Sequence, residues 1–191
     1  IIFGNKVFRY KKVLSVITNS FFKINERSVC FLVCSNNIGC IFSYLFILKN
    51  RCIPILIDKD VSSENFQRLL KNYRPNYLFL PLELNFKKKF FNFQSYVKKY
   101  GYEIFKNNSK KIFKINKDLA LLMPTSGTTG STKYVRISNQ NLYSNFNEII
   151  KYLNINEKSI TITTMPFNYS YAFSVLNTHL YTGGSVVLTD E

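Results

Sequence analysis

The sequence predicts an α/β protein with partly parallel sheets flanked by helices. Three observations carry that prediction. Short apolar runs of strand length recur along the chain. Apolar stripes of helical period lie between them. The connections are short, as in strand–helix–strand units that build parallel sheets.

Residues 29–33 (VCFLV) are apolar and β-rich, the pattern of a buried strand. Asn36-Asn37 marks a turn. Ile38, Ile41, Phe42, Leu45 and Leu48 then recur at helical spacing, up to a helix end at Lys49-Asn50. Residues 53–57 (IPILI) predict the next buried strand, and Pro54 within it predicts a sheet edge or a strand start. Ser62 or Ser63 caps a helix with Phe66, Leu69 and Leu70 on one face, stopped by Tyr73-Arg74-Pro75. Residues 77–80 (YLFL) give a third strand. A helix is expected around residues 93–100, then strands around 102–105 and 112–115.

Residues 119–123 predict a strand, and residues 134–137 a returning one. Ser138 caps a helix carrying Leu142, Phe146, Ile149, Ile150 and Leu153 on one face. A strand at 160–164, a helix at 170–182 ended by Gly183-Gly184 and a strand at 185–188 complete the pass.

Composition narrows the function classes. With 46% hydrophobic and 16% aromatic residues, the 191-residue chain is globular and not disordered. Its 26 basic and 11 acidic residues give a net charge of +15, which permits nucleic acid, anionic lipid or phosphorylated small molecules as partners. The lysines are mostly scattered, and most aromatics fall at core-like positions. That argues against the interleaved basic and aromatic face of an RNA-binding domain. The densest cluster, Lys87-Lys88-Lys89, reads as a solvated turn or helix end.

The four cysteines, Cys30, Cys34, Cys40 and Cys52, contain no C-x-x-C pair, and the lone His179 is distant in sequence. No metal site is expected of them. Cys30 and Cys34 lie in or beside an apolar run, where thiols pack as small hydrophobes. His179 is read as structural. Residues 29–48 are apolar enough to test as a membrane span, but Ser35-Asn36-Asn37 interrupts them. No basic-then-apolar leader opens the chain. A cytoplasmic location with reduced thiols is expected. The first residue is Ile1 and the last pair, Asp190-Glu191, follows an apolar run, so a piece of a longer protein is expected.

One stretch carries chemistry. Residues 119–134 read LALLMPTSGTTGSTKY: an apolar run, then two glycines among hydroxyls, then Lys133. Glycines let backbone N–H groups converge on an anion, hydroxyls add neutral donors and lysine adds charge. A buried strand ahead of the loop would hold it at the carboxyl edge of a sheet, where α/β proteins bind ligands. A diphosphate or triphosphate site is the natural reading. The spacing fits neither a Walker A loop nor the dinucleotide G-x-G-x-x-G fingerprint.

TSGTTGSTK resembles the phosphate-binding signature of the adenylate-forming superfamily, which includes acyl-CoA synthetases, luciferases and the adenylation domains of peptide synthetases. Thr125 to Gly130 and Lys133 match the family pattern. Thr132 replaces its usual Pro and Tyr134 its usual Gly. The stretches VRISNQNLYSN and MPFNYSYAFSVLNTHLYTGGSVVL resemble the segments that follow in that family.

The resemblance implies that the chain is an incomplete amino-terminal portion of an adenylation domain, with a first α/β portion at 1–118 and a phosphate-loop and acyl-pocket portion at 119–191. It implies that Thr125, Ser126, Gly127, Thr128, Thr129, Gly130 and Lys133 bind the phosphates of ATP. Lys133 and Thr128 would act on the departing pyrophosphate. Tyr169 and Ser170 would border the acid substrate, and a serine at 170 argues against an α-amino acid. Mg²⁺ would accompany ATP, a small carboxylic acid would be activated, and CoA or the phosphopantetheine of an acyl carrier protein would accept the acyl group. The remainder of its own chain would be a partner, and the isolated piece is expected to be inactive. A non-catalytic nucleotide-binding module is the alternative, on the strength of Thr132 and Tyr134.

Overall fold

The structure is a computed structural model that describes residues 1–19, 22–84, 92–108, 114–125 and 133–189. Its larger sheet contains β3 (Val29–Cys34), β4 (Ile53–Asp58), β5 (Tyr77–Pro81), β6 (Phe93–Lys99), β7 (Tyr102–Asn107), β8 (Leu119–Pro124) and β9 (Tyr134–Ser138). Their spatial order is β6-β7-β5-β3-β4-β8-β9. The central strands β5, β3, β4 and β8 run parallel, β7 and β9 pair antiparallel with them, and β6 pairs antiparallel with β7.

The smaller sheet has the order β10-β11-β1-β2, from β1 (Ile2–Phe3), β2 (Lys6–Val7), β10 (Ile160–Thr163) and β11 (Ser185–Leu188). Among the described residues, five helices complete the fold: α1 (Tyr10–Asn19), α2 (Ile38–Lys49), α3 (Ser63–Tyr73), α4 (Asn139–Leu153) and α5 (Ser170–Thr182). None is long and apolar enough to cross a membrane.

Alternation along β3 sorts the core into two clusters. Cys30, Leu32 and Cys34 face α1, α2 and α5, together with Val186 and Leu188 of the smaller sheet. Val29, Phe31 and Val33 face the opposite way, onto Phe66 and Leu69 of α3. The helices α1, α2 and α5 therefore lie between the two sheets, and α3 covers the far face of the larger one. The chain leaves β3 toward α2 on one face and leaves β4 toward α3 on the other. Such a divergence opens a crevice at the carboxyl ends of the strands.

Local signals explain most of the elements. Asn37 caps α2 by accepting from the Cys40 N–H, and Ser62 caps α3 by accepting from the Asn65 N–H. Ser138 and Asn141 form a reciprocal capping box at the start of α4. Gly183, at φ 84°, ends α5 in the left-handed conformation that glycine adopts without strain.

Some expectations are corrected. Residues 93–99 form β6, not a helix. Tyr100 and Gly101, at φ 52° and 79°, make a two-residue hairpin turn that pairs β6 with β7. Of the two places expected for Pro54, the strand start holds, since β4 begins at Ile53, and the sheet edge does not, because β4 lies between β3 and β8. The Ile53 N–H donates to the Ser28 carbonyl on the β3 side, so the next residue, Pro54, turns its missing N–H toward β8. Pairing with β8 is recorded only at Ile55, beyond the proline. Leu153 of α4 is exposed, although Leu142 and Phe146 pack against the core. Of the strand expected at 112–115, residues 112 and 113 lie outside the described residues, and 114 and 115 are in no strand. The chain ahead of Val29, unassigned from the sequence, supplies β1, β2 and α1.

Candidate functional site

The site is built where strands end. β8 delivers Pro124 and Thr125 to the carboxyl edge of the larger sheet, and the chain returns through Lys133 into β9. The Thr125 N–H and hydroxyl both donate to the Lys133 carbonyl, at 2.9 and 3.2 Å. The base of the glycine-rich loop is thus closed by its own backbone. Thr125 and Lys133 are both exposed, and none of the ion pairs among the described residues includes Lys133. Ser126, Gly127, Thr128, Thr129 and Gly130 lie outside the described residues, as does Thr132.

Tyr134, where the family pattern has Gly, is an ordinary strand residue paired with Pro124. Its ring meets Tyr73 of α3 edge-on, with centroids 5.5 Å apart.

A cavity of about 440 Å³ opens beside this base. Pro124 and Tyr134 border it on the loop side, Asp58, Asp60 and Ser62 on the β4–α3 connection, and Tyr169 on the β10–α5 connection. The structure thus brings Tyr169 and the base of the loop to one cavity. Ser170, exposed on the first turn of α5, is not among its lining residues. Among the described residues, no three His, Cys, Asp or Glu side chains come together to hold a metal. A Mg²⁺ ion carried by phosphate oxygens needs only one or two protein carboxylates.

Two asparagines, neither read from the sequence as a site residue, tie the sheets together here. Asn36, just after β3, donates through Nδ2 to the carbonyls of Thr163 (2.8 Å) and Thr189, and its Oδ1 accepts from the Thr163 hydroxyl at 2.9 Å. In the other direction, Asn168 after β10 donates through Nδ2 to Asp58 Oδ2 at 3.0 Å. Asp58 Oδ1 accepts from the Asp60 N–H at 2.8 Å, and the Tyr169 hydroxyl reaches Asp58 Oδ2 at 3.4 Å. The Asp58 carboxylate beside it, together with slight burial, holds the Tyr169 phenol above its ordinary pKa. An acid directly after a buried strand, and an asparagine inside the aromatic run FNYSY, were the available sequence signals.

His179 is buried, with Nδ1 at 2.9 Å from the Val175 carbonyl one turn earlier, as a structural histidine would be.

Residues 15–191 match the sequence profile of the AMP-binding enzyme family. The chain belongs to that family. No curated protein matches the chain. Among solved structures it is similar to o-succinylbenzoate coenzyme A synthetase (MenE) from Bacillus subtilis in complex with ATP and magnesium ion, at 15% identity and a TM-score of 0.77. That match covers 100% of this chain and 53% of MenE. The ATP-bound MatB from Rhodopseudomonas palustris is 15% identical, with a TM-score of 0.63, over 94% of this chain and 38% of MatB. VinN in complex with 3-methylaspartate is 12% identical, with a TM-score of 0.74, over 98% of this chain and 56% of VinN. These likenesses show the shared fold. The chain of this AMP-binding family member spans about half the length of MenE and VinN.

Proposed function

We propose that this AMP-binding family member contributes the phosphate loop and part of the acid pocket to a longer ligase that activates a carboxylic acid with ATP. The observation that carries this reading is the closed base of the TSGTTGSTK loop. Thr125 is fastened to Lys133 at the carboxyl edge of a parallel sheet, next to a cavity bordered by Tyr169. Residues 119–191 form the phosphate-loop and acyl-pocket portion in this reading, and 1–118 the first α/β portion.

In the reaction, a carboxylate oxygen attacks the α-phosphorus of ATP. The bond to the β-phosphate oxygen breaks, and acyl-adenylate and pyrophosphate form. A thiol of CoA or carrier-protein phosphopantetheine then takes the acyl group and AMP departs. Mg²⁺ supplies counter-charge to the phosphates. The loop's amides and hydroxyls at 125–130 bind the β- and γ-phosphates, and Lys133 adds positive charge beside the leaving pyrophosphate. Four free, buried thiols suit the cytoplasmic location we propose.

The experiment is Mg·ATP binding by titration calorimetry, with ATP–pyrophosphate exchange across a panel of carboxylic acids in the longer protein. Binding that is weakened in Lys133→Ala, together with exchange only in the longer protein, is the expected result. No Mg·ATP binding by either form would overturn the reading. Tyr134, one of the two departures from the family pattern behind the alternative of a non-catalytic module, sits within β9 and packs against Tyr73.

A further inference from the structure

We propose that Asp58 is a positioning residue of the acid site: its carboxylate fastens the Asn168–Tyr169 segment of one sheet to the carboxyl end of β4 in the other. The inference rests on the reading that Tyr169 borders the activated acid.

The geometry is specific. Asp58 terminates a buried central strand, so its backbone is fixed by pairing with Cys34 of β3. One carboxylate oxygen accepts from the Asp60 N–H and holds the turn into α3. The other oxygen is left for the β10–α5 connection, and takes Asn168 Nδ2 at 3.0 Å and the Tyr169 hydroxyl at 3.4 Å. Asn168 is 5% exposed, so its amide has little water to fall back on. A charge-assisted bond to a carboxylate is roughly twice as strong as a neutral one.

Tyr169 differs from its neighbour. It is 45% exposed, and the hydrogen bond to Asp58 and the buried Asn168 beside it bear on its direction. Asp58 thereby helps to set where the aromatic wall stands relative to Thr125 and Lys133. The charged groups facing Tyr169 across the cavity are Asp58 and Asp60, on the β4–α3 connection, with the phenol of Tyr134 on β9.

The test is NMR of ring-labelled tyrosine in the 191-residue chain, with the Tyr169 signal assigned by its loss in Tyr169→Phe. In the wild type, the Tyr169 phenol should ionise above its ordinary pH. Asp58→Asn keeps an oxygen for the Asp60 N–H, and should move the Tyr169 ring signal at neutral pH and lower the pH at which Tyr169 ionises. Asp60→Asn should leave the ring signal in place. A wild-type Tyr169 that ionises at the ordinary phenol pH would overturn the proposal, and needs no variant to fold. So would a ring signal that a folded Asp58→Asn protein leaves unmoved. These readouts involve no ATP, so failed pyrophosphate exchange would sink the ligase reading and leave the fastening intact.

Discussion

Thr125 donates two hydrogen bonds to a single acceptor, the carbonyl of Lys133, across eight residues of sequence. This pinch sets the loop's width before any ligand arrives. Lys133 needs only its backbone for the pinch, and its side chain is exposed. Replacing Lys133 with Ala should therefore leave the melting temperature within a few degrees of wild type, as surface changes do. Mg·ATP binding should weaken by about tenfold or more, since a charge near phosphate is worth about 1.4 kcal/mol or more. Calorimetric titration and a thermal melt on the same variant separate the two effects.

Gly39 lies in the first turn of α2, where an added Cβ would collide with the backbone carbonyl of Tyr100. The obstacle is main chain in the β6–β7 turn, so no rotamer change relieves it. Gly39→Ala should cost about 2–3 kcal/mol in urea unfolding, in the range of core overpacking. Gly4→Ala adds a Cβ in open space and strains only the backbone, at φ 53°. It should cost about 1–2 kcal/mol.

Alkaline stability follows from three tyrosines. Burial raises the phenols of Tyr44, Tyr77 and Tyr134, with Tyr77 pushed up to about 12. The folded state thus favours the protonated phenol. The stability this contributes is complete below the unfolded value near 10 and is lost as pH rises from there through the folded values. Unfolding free energy should be flat in these groups up to about pH 9 and fall steeply above 10. Urea titrations at a series of alkaline pH values measure the slope. Tyr77→Phe should make it shallower.

Much of this was legible in the sequence, for identifiable reasons. The β3–α2–β4–α3–β5 run could be read because apolar period and capping residues agree at every step, from Asn37 to Ser62. The loop could be read because its residue order is unusual. The β6–β7 hairpin could not, since its turn uses Tyr100-Gly101 in place of the common Asn-Gly, and a bulge between Ser95 and Val97 breaks the alternation. The contacts of Asn36, Asp58 and Asn168 could not be read for another reason. Their partners lie 110 or more residues away, and no local pattern records a contact between two sheets.

The four cysteines are free, and all are buried. Burial pushes the Cys30 and Cys34 thiols up, away from the reactive thiolate. Reaction with a disulfide reagent such as DTNB should be slow in the native chain and should accelerate as urea passes through the unfolding midpoint. A thiol that reacts at once without denaturant would place a cysteine at the surface.

Ile57 and Ile162 both sit on strands of parallel pairs, yet their surroundings are opposite. Ile57 is fully buried against α3, whereas Ile162 is 58% exposed. In the smaller sheet, Ile162 registers with Val187, Val187 with Ile2 and Ile2 with Val7, so these residues share one face, and the end members Ile162 and Val7 are exposed. Ile57→Ala should therefore cost about 2–5 kcal/mol, the transfer loss plus a cavity. Ile162→Lys should move stability by only about 0.5 kcal/mol. It should also raise solubility, because it interrupts an apolar row with charge. Urea midpoints and turbidity at increasing concentration decide the matter. A loss of several kcal/mol in Ile162→Lys would mean that this face is covered when the protein folds.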